Sequence, residues 1–276
     1  MGKSTVKSLE IMNLKLEEKT ALVTGSTAGI GLAIAKSLAA EGARVIVNGR
    51  SESRVQQALA DIRGTASAPL KLEPLVADLG LTAGATQAIE RFPDVDILVN
   101  NLGVYAPKPF EQISDADWLA IIETNFMSGV RLSRHYLPRM KQNKWGRILF
   151  ISSESGVHTP VEMIHYGVTK TMQIALARGL AETTAGTDVT VNSVLAGPTR
   201  SEGVEQFIKD MAASRGITPA AVEKEFFQKV RPSSLLQRFA STEEVAVMVT
   251  YLASPVSSAT NGAALRVEGG VVQSIL

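Results

Sequence analysis

Short runs of apolar residues alternate along the chain with longer segments whose apolar positions follow helical spacing. The runs are apolar throughout, which is typical of strands buried on both faces of a parallel sheet. We therefore predict strands at Ala21–Thr24, Arg44–Asn48, Leu72–Ala77, Val95–Asn100, Arg147–Ser152, Val189–Val194 and Ala264–Val267. The intervening segments predict helices at Ile30–Ala40, Ser53–Ile62, Ala83–Arg91, Asp115–Met140, Tyr166–Thr183 and Thr242–Leu252.

The order of these elements predicts an α/β fold. Strand–helix–strand units that share one parallel sheet place helices on both of its faces. No shift in composition divides the chain, so we expect one domain at residues 15–276, preceded by a flexible arm at residues 1–14. Capping-box pairs, Ser114 with Asp117 and Ser241 with Glu244, predict where two of the helices begin.

The interval 199–240 interrupts this alternation. It contains polar helical stretches at 203–214 and 219–230. Insertions of this length are often lids or binding loops, so we predict a substrate lid. A helical insertion that takes no part in binding is the alternative interpretation.

Composition and charge exclude several function classes. The chain has 276 residues, a formal net charge of +1 and no cysteine, which excludes disulfides, thiol catalysis and cysteine-ligated zinc. The three histidines, His135, His158 and His165, lack the spacing of a metal site. No basic block points to nucleic acid, and no apolar run has the length of a membrane span. We expect a cytoplasmic protein that acts on a small molecule.

A glycine-rich turn, TGSTAGIG, follows the first predicted strand and opens the first predicted helix. A strand, a glycine turn and a helix N-terminus together make a phosphate site, because the first N–H groups of the helix are free. The glycines at 25, 29 and 31 have the spacing G-x-x-x-G-x-G, which differs from the common dinucleotide pattern G-x-G-x-x-G. Since α/β proteins also need glycines at such turns for structural reasons, the turn alone does not identify a ligand.

The turn resembles T-G-x-x-x-G-[IL]-G, the signature of the short-chain dehydrogenase/reductase family in its ordinary-length branch. Further motifs of that family follow in the same order. They are NNLG at 100–103, an asparagine in TNFMSG, a serine followed by Tyr-x-x-x-Lys, VNSVLAGPTR at 191–200, and RVEGG near the end. The chain departs from the family at Leu102, Ala196 and Glu268, where alanine, proline and aspartate are usual.

The resemblance runs from about Leu16 to Val271 and implies a complete architecture. It implies a single-domain Rossmann fold whose seven-stranded parallel sheet has the order 3-2-1-4-5-6-7, with helices on both faces. It also implies a homotetramer, and 3-oxoacyl-[acyl-carrier-protein] reductases are the relatives most similar in overall pattern.

Tyr166 and Lys170 are four residues apart, which places both side chains on one face of the predicted helix. An ammonium close to a phenol favours the phenolate and lowers the phenol pKa. Ser153 lies thirteen residues before Tyr166, at the carboxyl end of a strand, where ligands bind in parallel sheets. Strand alternation directs its neighbour Ser152 to the opposite side. A Tyr-x-x-x-Lys pair by itself recurs by chance on many helices.

The family resemblance implies a role for each of these residues. Tyr166 exchanges a proton with the substrate oxygen, and Ser153 orients that oxygen. Lys170 lowers the tyrosine pKa and binds the nicotinamide ribose. Asn125 bends its helix and anchors a water molecule that links Lys170 to solvent. The hydride passes between nicotinamide and a carbonyl carbon without a metal ion.

The end of the second predicted strand indicates which nicotinamide cofactor is bound. NAD sites usually have an acidic residue there, but Gly49 occupies that position and Arg50 follows. Because a guanidinium binds a 2′-phosphate well, we predict NADP(H) in preference to NAD(H), with Asn48 and, more weakly, Arg54 sharing the phosphate. Alternatively, Arg50 is an ordinary surface residue. Asp78 is either an adenine contact or a helix cap.

The predicted site combines these residues with their neighbours along the glycine turn and at the strand ends. The predicted cofactor-binding residues are Gly25, Ser26, Thr27, Gly29, Ile30, Gly31, Asn48, Arg50, Asp78, Leu79, Asn101, Gly103, Tyr166, Lys170, Gly197, Pro198 and Thr199. The predicted substrate contacts are Tyr105, Glu154, His158 and Met163.

The function predicted from these features is NADP(H)-dependent interconversion of a carbonyl group and a secondary alcohol. Two alternatives remain open. The chain could be a catalytically idle NADP-binding sensor or scaffold, which the departures at Leu102 and Ala196 would fit. It could also be a sugar-nucleotide epimerase or dehydratase of the longer branch, although that branch has a different glycine pattern and a larger C-terminal domain.

Overall fold

The computed structural model describes residues 13–65 and 69–275. Residues 1–12 of the predicted N-terminal arm lie outside the described residues, whereas Leu16 is fully buried. The strands form one parallel sheet with the order β3-β2-β1-β4-β5-β6-β7, which confirms the predicted fold class and strand order. They are β1 Thr20–Val23, β2 Arg44–Gly49, β3 Leu72–Val76, β4 Ile97–Asn100, β5 Gly146–Ser153, β6 Val189–Ala196 and β7 Ala264–Val267.

Most of the helices begin and end within about two residues of their predicted bounds. They are α1 Gly29–Ala40, α2 Glu52–Arg63, α3 Thr82–Arg91, α4 Asp115–Ile122, α5 Ser128–Gln142, α6 Ile164–Glu182, α7 Glu202–Arg215, α8 Pro219–Glu225 and α9 Thr242–Ala253. The predicted helix Asp115–Met140 consists of α4, a π-helical turn at Glu123–Met127, and α5. Both predicted capping boxes are present, at the starts of α4 and α9.

The sheet is buried between two apolar layers. Helices α1, α2 and α9 cover one face, and α3, α5 and α6 cover the other. Because side chains alternate along a strand, Val45 and Val47 of β2 enter the first layer while Ile46 enters the second. Strands buried on both faces explain why the runs are apolar throughout.

The segment between β6 and α9 forms a separate structure over the carboxyl edge of the sheet. A parallel bridge between Thr199 and Ala240 brings its two ends together. Between them lie α7, α8 and a second π-helical turn at Phe226–Val230. These elements have an apolar cluster of their own, made by Ile208, Ala212, Val222, Phe227 and Phe239.

Candidate active site

Two cavities with shared walls lie at the carboxyl ends of the strands. The larger has a volume of about 580 Å³ and extends beneath the segment 199–240. The smaller, of about 170 Å³, lies between the glycine turn and α6. Ile30, Ser153, Tyr166 and Gly197 contribute to both walls, so the cavities meet at the predicted catalytic residues.

The glycine turn has the backbone geometry of an anion site. Gly25 and Gly29 have φ angles of +60° and +55°, in the region that glycine tolerates best. A Cβ atom on Gly31 would lie 2.5 Å from both the Gly25 carbonyl oxygen and the Asn101 side-chain nitrogen. No side chain caps the start of α1, and its first turn has no acidic residue. The free N–H groups there fit a pyrophosphate.

Asn48 and Ser26 support this turn from within. The Asn48 side-chain oxygen accepts a hydrogen bond from Gly25 N at 3.0 Å, and its amide nitrogen donates to the carbonyls of Leu75 and Ala77 at 3.1 and 3.0 Å. The fully buried Ser26 hydroxyl accepts from Asn48 N at 2.9 Å. Since both amide donors of Asn48 are used and the residue is buried, the geometry does not support its predicted contact with a 2′-phosphate.

Arg50 follows directly after β2 and is exposed. Within residues 13–65 and 69–275, its guanidinium has no hydrogen bond or ion pair. A Cβ atom on Gly49 would lie 2.4 Å from the Thr27 side chain, so no acidic residue fits at the end of β2. Arg54 lies 3.8 Å from Glu202 of α7. Arg50 is therefore the free cation of this strand end.

Asp78 and Leu79 shape the turn after β3. The Asp78 carboxylate accepts a hydrogen bond from Gly80 N at 3.0 Å, and the N-cap of α3 is Leu81, so Asp78 is not a helix cap. Leu79 is buried in the apolar layer. Asn101, which follows β4, donates to the carbonyls of the glycine turn at 2.9 and 3.2 Å.

The last predicted cofactor residues lie where β6 ends. A Cβ atom on Gly197 would lie 2.6 Å from Glu268 Cα, so only glycine fits there. The Thr199 hydroxyl donates to the Gly197 carbonyl at 2.9 Å, and Thr199 is buried. On the opposite wall, Gly103 lies beside Lys170, whose Nζ would be 3.5 Å from a Cβ at that glycine.

Ser153, Tyr166 and Lys170 come together on the wall of the smaller cavity. Ser153 and Tyr166 line both cavities, and Lys170 Nζ lies 5.5 Å from the centre of the Tyr166 ring. The Ser152 hydroxyl instead donates to the Lys170 carbonyl at 2.9 Å. Lys170 is buried, and its Nζ also donates to the Ile151 carbonyl at 2.8 Å.

Burial changes the acidity of both titratable groups. It raises the pKa of Tyr166, and the Glu154 carboxylate adds to this increase, while the neighbouring Ser153 hydroxyl opposes it. Burial also lowers the pKa of Lys170 to about 8, and Glu154 opposes that change. The sequence predicts a lowered pKa for Tyr166, whereas in the structure burial raises this pKa.

Gln173 connects Lys170 to the π-helical turn and was missed from the sequence. The Lys170 ammonium donates to the Gln173 side-chain oxygen at 3.2 Å, and the Gln173 amide donates to the Asn125 carbonyl at 2.6 Å. The Asn125 side chain is bonded twice to the Val104 backbone, at 2.8 and 2.9 Å. A π-helical turn disturbs the regular backbone hydrogen bonds, and Gln173 satisfies the Asn125 carbonyl. The sequence feature that could have revealed Gln173 is its position three residues after Lys170 on the same predicted helix.

A buried ion cluster, also missed, lies beside Ser153. The Ser153 hydroxyl donates to the carboxylate of Glu154, which is 4% exposed. Arg231, from the segment 199–240, lies 3.1 Å from that carboxylate and 3.2 Å from the carboxylate of Glu162. The cluster therefore ties the segment 199–240 to the floor of the larger cavity.

Three of the four predicted substrate contacts line the larger cavity. Tyr105, Glu154 and Met163 belong to its wall, and the Tyr105 ring meets the Tyr166 ring edge-on at 6.1 Å. The prediction for His158 is wrong, because a 3₁₀ turn at Glu154–Gly156 carries it to the exposed surface, outside both walls.

The described residues, 13–65 and 69–275, were also compared with the requirements of a metal site and of a membrane span. No group of three or more histidine, cysteine, aspartate or glutamate residues in them could hold a metal ion. None of the helices in these ranges combines the length and apolar character needed to span a membrane.

Comparisons with known proteins agree with this geometry. The family model described as short chain dehydrogenase matches residues 19–212. The uncharacterized oxidoreductase YvaG of Bacillus subtilis is 48% identical over 96% of this chain and 100% of its own length. The 3-oxoacyl-[acyl-carrier-protein] reductase FabG of Aquifex aeolicus is 33% identical over 94% of this chain and 100% of its own. L-Sorbose reductase from Gluconobacter frateurii, solved with NADPH and L-sorbose, superimposes with a TM-score of 0.87 at 27% identity, covering 96% and 100% of the two chains.

Proposed function

The chain belongs to the short-chain dehydrogenase family, and on that premise we propose that it is an NADP(H)-dependent oxidoreductase that interconverts a carbonyl group and a secondary alcohol. The observation that carries this proposal is the position of Tyr166 and Ser153 where the two cavities meet, with buried Lys170 beside the Tyr166 ring. This arrangement offers a proton and a hydrogen-bonding partner to one substrate oxygen.

Two regions would hold the phosphates of the cofactor, which supplies or accepts the hydride when bound. The uncapped start of α1 and the glycine turn suit the pyrophosphate. The free guanidinium of Arg50 suits a 2′-phosphate, and the absence of an acid at Gly49 removes the usual partner of an NAD ribose. The NADPH bound to L-sorbose reductase supports the same choice.

Tyr166 and Ser153 act on the substrate oxygen in this proposal. Burial raises the Tyr166 pKa, so the phenol is protonated at neutral pH and can donate its proton to a carbonyl oxygen that is being reduced. Ser153 orients that oxygen by turning its single O–H from the Glu154 carboxylate to the substrate. The ammonium of Lys170 stabilises the phenolate that remains, and in alcohol oxidation the proton passes in the opposite direction.

The segment 199–240 serves as the substrate lid of this single domain. It roofs the larger cavity, and Arg231 ties it to Glu154 beside Ser153. The relation to FabG makes 3-oxoacyl thioesters the first substrate class to test.

A measurement of substrate turnover distinguishes this proposal from the alternative of a catalytically idle NADP-binding sensor or scaffold. We expect the purified protein to oxidise NADPH in the presence of members of a broad panel of ketones and 3-oxoacyl thioesters. The measurement is the loss of NADPH absorbance. Tight NADPH binding without turnover on the whole panel, in either direction, would contradict the proposal.

A further inference from the structure

We propose that the larger cavity binds an uncharged ketone carried on an extended apolar chain, with the carbonyl at Ser153 and Tyr166 and the chain beneath the segment 199–240. This inference rests on the proposed function and specifies its substrate class. Two sources of this chemistry fit, a 3-oxoacyl thioester and a simple long-chain ketone.

The wall beyond the catalytic residues is apolar. Away from Ser153 and Tyr166, helices α7 and α8 and the π-helical turn that follows contribute aliphatic and aromatic side chains. These include Val204, Ile208, Met211, Val222 and Phe226. A sugar or polyol placed against this wall would leave its hydroxyl groups without hydrogen-bond partners, which is costly. An alkyl chain placed there gains free energy with each methylene group removed from water.

The charged groups at the reacting end are already paired. Arg231 lies between Glu154 and Glu162, so its positive charge is matched by two carboxylates. The three groups together carry a formal charge of −1 beside Ser153. A substrate carboxylate beside this cluster would be repelled by its net negative charge, which disfavours small keto acids.

Two further cationic side chains of the cavity wall, Arg215 and Lys229, lie at its rim and are paired with a carboxylate. Arg215 lies 2.9 Å and Lys229 3.8 Å from the Glu225 carboxylate, and all three side chains are substantially exposed. The volume of about 580 Å³ falls within the range of sites for ligands of drug size. The cavity therefore offers length and apolar surface between the polar groups at the carbonyl and the paired charges at its rim.

The first experiment compares substrates that share a ketone and differ in chain and charge. One series is 3-oxoacyl N-acetylcysteamine thioesters and the other is 2-alkanones, each from about four to about twelve carbons, with NADPH as reductant. We expect kcat/KM to rise roughly two- to fourfold per added methylene before a plateau. L-Sorbose and the 3-oxobutyrate anion are expected to react at least about a hundredfold less efficiently than the best member. The series with the higher kcat/KM shows whether the substrate is a 3-oxoacyl thioester or a simple long-chain ketone.

A variant of the wall tests where the chain lies. Met211→Trp narrows the cavity, so the ratio of kcat/KM for long to short chains should fall about tenfold. Val247→Trp, at an exposed position of α9, is the matched control and should leave that ratio unchanged. Thermal melting shows whether each variant is folded.

The outcomes separate this inference from the proposed function. Turnover that is independent of chain length, an unchanged ratio in folded Met211→Trp, or preference for L-sorbose or 3-oxobutyrate would overturn the apolar-chain assignment and leave the oxidoreductase proposal standing. If no substrate turns over, calorimetry with a long 2-alkanone and the NADPH-loaded protein decides the remaining question. Binding there supports the cavity assignment while the oxidoreductase proposal fails, and the absence of binding overturns both.

Discussion

Lys170 and Gln173 lie one turn apart on α6 and are hydrogen bonded, with 3.2 Å between Nζ and the amide oxygen. Gln173 also donates to the Asn125 carbonyl, so one buried amide joins the ammonium to the π-helical turn. The family resemblance implies a water molecule that Asn125 anchors and that links Lys170 to solvent. The link from Lys170 to Asn125 through Gln173 was not expected from the sequence.

Substitution of Gln173 should move the pKa of Lys170 in a direction set by the replacement. Burial already lowers the pKa of Lys170 to about 8, so an activity that needs the ammonium declines as the pH rises through that value. Gln173→Leu removes an acceptor and should shift this decline to lower pH, whereas Gln173→Glu adds a negative charge and should shift it to higher pH, each by about one unit. The measurement is kcat/KM against pH. Identical profiles in both variants would show that Gln173 only fills space.

Tyr166→Phe should remove turnover while sparing cofactor binding. The substitution deletes the proton donor, and loss of general acid catalysis costs about 10²- to 10⁴-fold in rate. We expect NADPH fluorescence titrations to give the wild-type dissociation constant. The control is Tyr251→Phe on α9, a residue that belongs to neither cavity wall. Substantial residual activity in Tyr166→Phe would assign the proton donor elsewhere.

Arg50→Asp should reverse the preference between the two nicotinamide cofactors. The exposed guanidinium has no partner in the described parts of the chain, and an acid there would repel a 2′-phosphate while accepting a hydrogen bond from a ribose hydroxyl. We expect the NADPH/NADH ratio of kcat/KM to fall at least about tenfold. Arg63→Asp, at the exposed end of α2, is the matched control. An unchanged ratio would remove Arg50 from the cofactor site.

Loss of Arg231 should destabilise the protein because it leaves the Glu154 carboxylate buried without its cation. Breaking a buried pair from one side typically costs about 3–5 kcal/mol of unfolding free energy. We expect Arg231→Met to unfold at lower urea concentration and the double variant Arg231→Met/Glu154→Gln to recover part of the loss. Equal stability of Arg231→Met and the double variant would mean that the unpaired Glu154 carboxylate does not cause the loss.

The Glu154 carboxylate should also influence the proton donor. It raises the pKa of Tyr166, so Glu154→Gln should lower that pKa and move the onset of alcohol oxidation to lower pH. The groups facing Tyr166 that remain are Ser153, Tyr105, Arg231 and Lys170. An onset unchanged from wild type would contradict this electrostatic role.

Local patterns determined the elements and much of the site. Apolar runs and helical spacing located the strands and helices, because each pattern is a property of neighbouring residues. The four-residue separation of Tyr166 and Lys170 placed both on one helix face. The predicted helix Asp115–Met140 was correct as a helical run, but its spacing did not reveal the π-helical turn inside it.

Contacts between distant residues were decided only by the tertiary structure. Arg231 and Glu154 are 77 residues apart, and Gln173 and Asn125 are 48 apart, so no spacing rule links them. Asn48 was expected at a phosphate but is held by the adjacent strand, and His158 was expected in the cavity but is turned outward by a 3₁₀ turn. The chain by itself determined which chemical groups are present and which face of its element each occupies. Their partners, burial and pKa values depended on how those elements pack, because desolvation and hydrogen bonding are properties of the assembled fold.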